Sequence, residues 1–128
     1  MTAAQYVPGA CNIGPAEIAL RRRVGHVGLA VTAALATALI RSDLHPAWRL
    51  TLALPAAGAA SGYLQARQQF CANYGFRGLY NFNSRGHEQP VPATEAQAED
   101  RRRARQITAA SAAIGAGVAL AATLIKWR

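Results

Sequence analysis

Residues Gln106–Ile125 read QITAASAAIGAGVALAATLI, twenty residues without a charge between Arg105 and Lys126. At about 1.5 Å per residue, about 20 residues cross the roughly 30 Å hydrocarbon core of a bilayer. A helix on a soluble protein keeps a polar face. Here the polar positions are Gln106, Thr108, Ser111 and Thr123, too few and too weak to form one. The stretch predicts a membrane span, and it decides the fold class.

Two further uncharged runs lie upstream. Val24–Ile40 stands between Arg23 and Arg41, and Leu50–Ala66 between Arg49 and Arg67; each has 17 residues. Both sit at the lower limit for a span, so their flanking arginines are expected to snorkel toward the headgroups. Only Ser42 to Trp48 and the two bounding arginines separate the runs, and a link that short forces an antiparallel hairpin. Pro46 is placed to begin the second helix, and Pro55, inside the run, is expected to kink it.

The whole is read as one all-α integral membrane domain with three transmembrane helices, an antiparallel hairpin plus one long helix. An extended arm (1–14) leads into helix 1 with the first span (15–41), and the second span covers 46–68. A cytoplasmic aromatic and polar loop (69–93) then leads to a last helix with the third span (95–127). Gly14-Pro15 opens helix 1, because proline is pre-set for the first helical position. Glu17 in that first turn complements the helix dipole. Thr94 with Gln97 three residues on reads as a capping box for the last helix. That helix, near 50 Å at about 1.5 Å per residue, outruns a bilayer core and projects from it.

Charge placement separates two readings of a net +8 chain that is 52% hydrophobic. A nucleic-acid binder spreads its arginines over a face. Here they cluster as Arg21, Arg22 and Arg23 and as Arg101, Arg102, Arg103 and Arg105, each cluster directly before an uncharged run. Anionic lipid headgroups, not nucleic acid, are the expected partners of these clusters, with Trp48 and Trp127 as interfacial aromatics. Bound lipids are expected and no cofactor is. The mean hydropathy is nonetheless near zero, because the loops are polar and the apolar runs use alanine and glycine rather than leucine. Met1 to Ala10 lacks the basic start and apolar core of a signal peptide, so the first span is expected to direct insertion itself.

Segments 1–23 and 67–105 hold ten lysines and arginines; the link with its flanks and the C-terminal tail hold four. The positive-inside rule then places the N-terminus and the long loop in the cytoplasm and the C-terminus outside, in a plasma membrane.

Small residues recur at four-residue spacing: Gly28, Thr32 and Ala36; Gly58 and Gly62; Ser111 and Gly115; Ala113 and Gly117. Such rows let helix backbones approach in lipid, within the chain or against other membrane subunits or a second copy. Cys11 and Cys71 are candidates for a thiol pair on the cytoplasmic side, but their spacing matches no zinc motif, and no metal site is assigned. His26, one turn into helix 1, reads as an interfacial histidine. The carboxylates Asp43, Glu88, Glu95, Glu99 and Asp100 read as solvated charges. No span carries an internal carboxylate, lysine or arginine, which disfavours a pump or coupled carrier. No catalytic motif is present, so no catalytic residue is assigned and the chain reads as a non-enzyme.

The segments Tyr6-Val7-Pro8-Gly9-Ala10-Cys11-Asn12-Ile13-Gly14-Pro15-Ala16-Glu17-Ile18 and Phe70-Cys71-Ala72-Asn73-Tyr74-Gly75-Phe76, followed by Gly78-Leu79-Tyr80-Asn81-Phe82, resemble an uncharacterised family of small bacterial multi-span membrane proteins. The resemblance implies no catalytic residue. It implies that the arm and the aromatic segment belong together on one membrane face, with Tyr6, Asn12, Tyr74, Phe76, Tyr80 and Phe82 as candidate partner contacts. The expected function is a non-catalytic accessory or structural subunit of a larger membrane complex, respiratory or photosynthetic for example. The alternatives are a homo-oligomeric channel or carrier lined by Thr32, Thr37, Ser61, Ser111 and Thr123, and a redox or metal-handling protein using Cys11 and Cys71.

Overall fold

Proline and the small residues set where the helices start and how closely they pack. A computed structural model of the chain describes residues 6–83 and 86–126. Helix α1 (Pro15–Arg41) starts at Pro15, with Gly14 as its N-cap. After the link, Pro46–Leu52 forms a 3-10 helix that runs straight into α2 (Ala53–Gln68). Helix α3 (Ala72–Arg77), a two-residue strand pair of β1 (Leu79–Tyr80) with antiparallel β2 (Gln89–Pro90), and α4 (Thr94–Thr123) complete the described fold. Two helices, α1 and α4, are long and apolar enough to cross a membrane.

Several expectations change at this level. Pro55 does not kink a long helix. The α-helix starts only at Ala53, so proline stands in its first turn, where the backbone has already changed from 3-10 to α geometry. Thr94 is the first helical residue rather than the cap; Ala93 holds that place with no side-chain cap bond. Gln97 instead donates to the Val91 carbonyl at 2.6 Å, tying α4 to the strand pair. The last helix stops at Thr123 rather than running on toward Trp127, and Trp127 lies outside the described residues.

Helix α2 packs along both α1 and α4, which barely meet each other. Its contacts are made by the smallest side chains. A Cβ on Gly62 would lie 2.6 Å from the Gly25 nitrogen and 2.7 Å from the Arg21 carbonyl oxygen. One on Gly28 would lie 2.9 Å from the Ala59 backbone, and one on Gly115 would lie 2.5 Å from the Ala53 carbonyl oxygen. The buried positions of α4 from Ala104 on are Ala104, Ile107, Ser111, Gly115, Ala119 and Ala122, a single seam at three- and four-residue steps. Of the predicted packing residues, Gly28, Gly62, Ser111 and Gly115 therefore lie at helix contacts. Gly58 and Gly117 meet nothing within 4 Å. Gly25 was missed from the sequence because it pairs with Tyr63 and Gly62 rather than with another glycine four residues away.

The large apolar side chains point outward. Val27 is 64% exposed, Leu29 55%, Leu54 80% and Leu120 58%, while glycine, alanine and serine fill the seams. Soluble bundles have the opposite arrangement. Only 11% of the most apolar stretch of α1 is buried, and 28% of that of α4.

The hairpin end opposite the arginine clusters has its own lock. Arg49 is buried, and one guanidinium nitrogen donates to the carbonyls of Ala122 at 2.9 Å and Ile125 at 2.6 Å. It does not snorkel as expected. It gives a second donor to the Ala122 carbonyl, which also accepts from Ile125 N–H, and a donor to the Ile125 carbonyl just past the end of α4, where the dipole also favours a cation. Leu39, Leu52, Ala119 and Ala122 pack beside it.

Candidate functional site

The N-terminal arm, the segment after α2 and the first turns of α4 come together as a folded cap at the end of the helices that carries the arginine clusters. The arm turns tightly at Pro8-Gly9-Ala10. Gly9 takes φ +69°, a conformation that favours glycine, and Val7 pairs with Cys11 across the turn. Ile13 then bridges Asn81 in parallel, with Asn81 N–H donating to the Asn12 carbonyl and Gly14 N–H to the Asn81 carbonyl.

Asn12 is the joint between the arm and the end of α2. Its side chain accepts from Cys71 N–H at 2.6 Å and donates to the Cys71 carbonyl at 3.1 Å. Its own N–H donates to the Gln69 carbonyl. Gln69 adopts φ +55°, and the N–H groups of Gln69 and Phe70 return to the carbonyls of Ala66 and Gln65. That is a Schellman ending with glutamine where glycine is usual.

Two buried carboxylates anchor the rest. Asp100, in α4, is wholly buried and accepts from the Tyr6 hydroxyl at 2.6 Å and from Gly9 N–H at 2.7 Å. The expectation that it is a solvated charge is therefore corrected: the arm folds over it and supplies two donors. Glu17, 2% exposed, accepts from the Tyr74 hydroxyl and lies 3.9 Å from Arg21. Burial, then the hydrogen bond to its carboxylate, pushes each phenol above its ordinary value near 10: Tyr6 by Asp100 and Tyr74 by Glu17.

The segment expected as an aromatic and polar loop is folded instead. Phe70 and Tyr74 are buried, and Phe70 packs on Ala104 and Ile107 of α4. Gly75 makes this possible, since a Cβ there would come 2.8 Å from the Phe70 ring and 2.9 Å from the Asp100 carbonyl oxygen. Of the six candidate partner contacts, Asn12 and Tyr74 are consumed inside the cap. Tyr6 stacks on Tyr80 at 5.1 Å, and Tyr80 lies 5.9 Å from Phe82. Phe76 is 44% exposed.

The cysteines have separate partners. Cys71 is buried, and Arg21 donates to its sulfur at 2.8 Å. Cys11 lies near the Gln69 side chain at 3.7 Å and the Ile13 carbonyl at 3.8 Å; burial raises its thiol pKa, partly opposed by a backbone hydrogen bond at Ile13. Both are free thiols. Among the described residues no three His, Cys, Asp or Glu side chains are grouped to hold a metal.

The arginines divide by role. Arg21 faces inward to Glu17 and Cys71, and Arg103 donates to the Gly9 carbonyl at 2.8 Å and to Gln68 at 3.2 Å. Arg22, Arg23 and Arg102 are exposed, Arg101 is half-buried, and Trp48 at the far end is 56% exposed. The hydroxyls of the channel alternative mostly turn back on their own helices: Thr32 to Gly28, Thr37 to Ala33, Ser111 to Ile107 and Thr123 to Leu120. His26 meets the Tyr63 hydroxyl at 2.7 Å.

Comparison with known protein families, with curated proteins and with solved structures finds no match.

Proposed function

We propose that the chain is a non-catalytic structural subunit of a larger membrane complex, held in the bilayer by three spans. In this reading the 3-10 helix and α2 together make the second span. The 16 residues of α2 rise about 24 Å at about 1.5 Å each, and the preceding 3-10 helix adds about 14 Å at about 2.0 Å per residue. The cap lies on the cytoplasmic side of a bacterial plasma membrane, and the hairpin link and the end of α4 lie outside, as the arginine excess at the cap implies.

The observation that carries this reading is the inside-out distribution of side chains. Small residues face the seams, and valine and leucine face outward on α1, α2 and α4. Water makes such a surface costly, whereas lipid or an apolar partner helix does not. The cap supports the non-catalytic part. Its distinctive polar groups, Tyr6, Asn12, Glu17, Tyr74 and Asp100, are engaged with one another or with backbone. Meanwhile Gly58 and Gly117 leave backbone open on the outer faces of α2 and α4, where lateral neighbours would pack.

Purification of the tagged chain from carbonate-washed membranes in mild detergent tests this. The expected result is retention in the membrane and stoichiometric co-purification of at least one other membrane protein. Recovery in the soluble fraction, or migration as a lone monomer, overturns it.

A further inference from the structure

We infer that the unpaired edge of the Arg49 guanidinium binds a phosphate, supplied by one phospholipid of the leaflet at the hairpin end. The inference rests on the membrane reading above and adds a site to it. Arg49 is 6% exposed. Both of its hydrogen bonds leave from Nη1, to the carbonyls of Ala122 and Ile125. Its Nε is buried without a partner. Among the described residues no carboxylate forms an ion pair with it, and Asp43, the acid of the hairpin link, is exposed. An enclosed cation with no counter-charge is far costlier than a paired one, so the site asks for an anion.

Geometry selects the kind of anion. With Nη1 committed to the two carbonyls, Nε and Nη2 remain as a fork of parallel N–H donors, and that fork matches two oxygens of one phosphate. Depth selects the source. From Arg105, the last arginine of the cap end, to Ala122 is 17 residues, or about 26 Å along α4. A bilayer core is about 30 Å thick. Arg49 therefore stands close to one core thickness from the arginine clusters, where the phosphates of the opposite leaflet lie. The chain neighbours of these contacts are apolar and exposed: Trp48 at 56%, Leu50 at 47% and Leu124 at 80%. Such a rim suits an interfacial indole and acyl chains rather than an ion arriving from water.

Nitrogen-15 spectroscopy of the arginine Nε–H groups tests the site in the full chain. Dodecyl maltoside is the detergent, since it carries no phosphate, and Arg49→Lys identifies the Arg49 signal by its loss. Dioleoylphosphatidylcholine has a phosphate and no net charge. It should shift that signal, saturate at one lipid per chain and slow its exchange with water about ten-fold, the size of one charge-assisted hydrogen bond. Dioleoylglycerol, with the same chains and no phosphate, should leave it unmoved, as should inorganic phosphate at the same concentration. In native mass spectrometry, Arg49→Lys keeps the charge but not the fork and should retain roughly five-fold less phosphatidylcholine. Lys126→Gln removes an exposed charge from the same end and should retain as much as the native chain. No response to phosphatidylcholine, or an equal response to dioleoylglycerol, overturns the site. A response to inorganic phosphate as large as that to the lipid assigns the fork to a free ion and overturns the lipid. An Nε–H that is slow only with another subunit bound, and indifferent to lipid, assigns the fork to a partner's carboxylate and overturns it too. A chain that stays in washed membranes yet fails these tests loses only the phosphate site, whereas a chain found in the soluble fraction loses the membrane reading as well.

Discussion

Asn12 carries more of the cap than any other single residue. Its amide copies one rung of a β-ladder with Cys71, and its backbone holds Gln69 and Asn81. Replacing it with alanine leaves the buried Cys71 N–H without an acceptor, a loss of about 2–3 kcal/mol. Denaturant unfolding in detergent should read that loss, and Asn12→Asp should recover only the accepted bond. The tyrosines predict a pH response. Tyr6 and Tyr74 both have phenol pKa values raised in the folded state, so their stabilisation is complete below the unfolded value near 10 and is lost as pH rises toward the folded one. In a 295 nm titration, the difference between the native chain and Tyr74→Phe should show no tyrosinate through the ordinary phenol range. Tyrosinate appearing in that difference at pH 10 would break the link to Glu17. The motif of the arm is thus accounted for locally: glycine for a turn at φ +69°, asparagine for a ladder, proline for a helix start.

Among the elements, the seams decide what the helices tolerate. Gly115 faces α2 and Gly117, two residues on, faces away. Gly115→Leu should cost about 2–3 kcal/mol by overpacking, and Gly117→Leu should stay within about 0.5 kcal/mol. Thermal melting of both variants in one detergent checks the contrast, and equal effects would remove the α2–α4 seam. Arg49 makes a separate prediction at the other end. Arg49→Met keeps the stem but strips the donors from the Ala122 and Ile125 carbonyls, so amide exchange in the last turn of α4 should accelerate while the cap end is unchanged. The four-residue rows were legible as a type of contact, but not as particular pairs. Every glycine in such a row looks alike until the crossing geometry selects one face, and here it selects Gly62 over Gly58.

For the molecule as a whole, the proposed direction in the membrane rests on charge. The cap end holds the clusters at Arg21–Arg23 and Arg101–Arg105, and the opposite end holds Arg41, buried Arg49 and Lys126. A single reporter cysteine at exposed Asp43, in a background with Cys11 and Cys71 replaced by serine, should react with a membrane-impermeant maleimide on intact cells. One at exposed Asn73 should react only after permeabilisation. The reverse pattern would invert the proposed topology while leaving the fold untouched. Helix α2 lies between α1 and α4.

The lengths of the uncharged runs, the arginines at their ends and the short link determine a helical chain with a hairpin and a long last helix, because helix rise and the cost of charge in hydrocarbon depend on local composition alone. The turn at Pro8-Gly9 and the start of α1 at Pro15 are legible for the same reason, since both are backbone preferences of single residues. Tertiary structure decided the rest. In sequence Asp100 reads as a solvated charge and Arg49 as a snorkelling flank, and only contacts over 91 and 73 positions reveal them as the anchors of the arm and of the end of α4. Phe70 and Tyr74 read as parts of an aromatic loop until Gly75 lets this segment settle on α4. A long-range pairing leaves no periodic trace along the chain, so the elements could be read in advance and their partners could not.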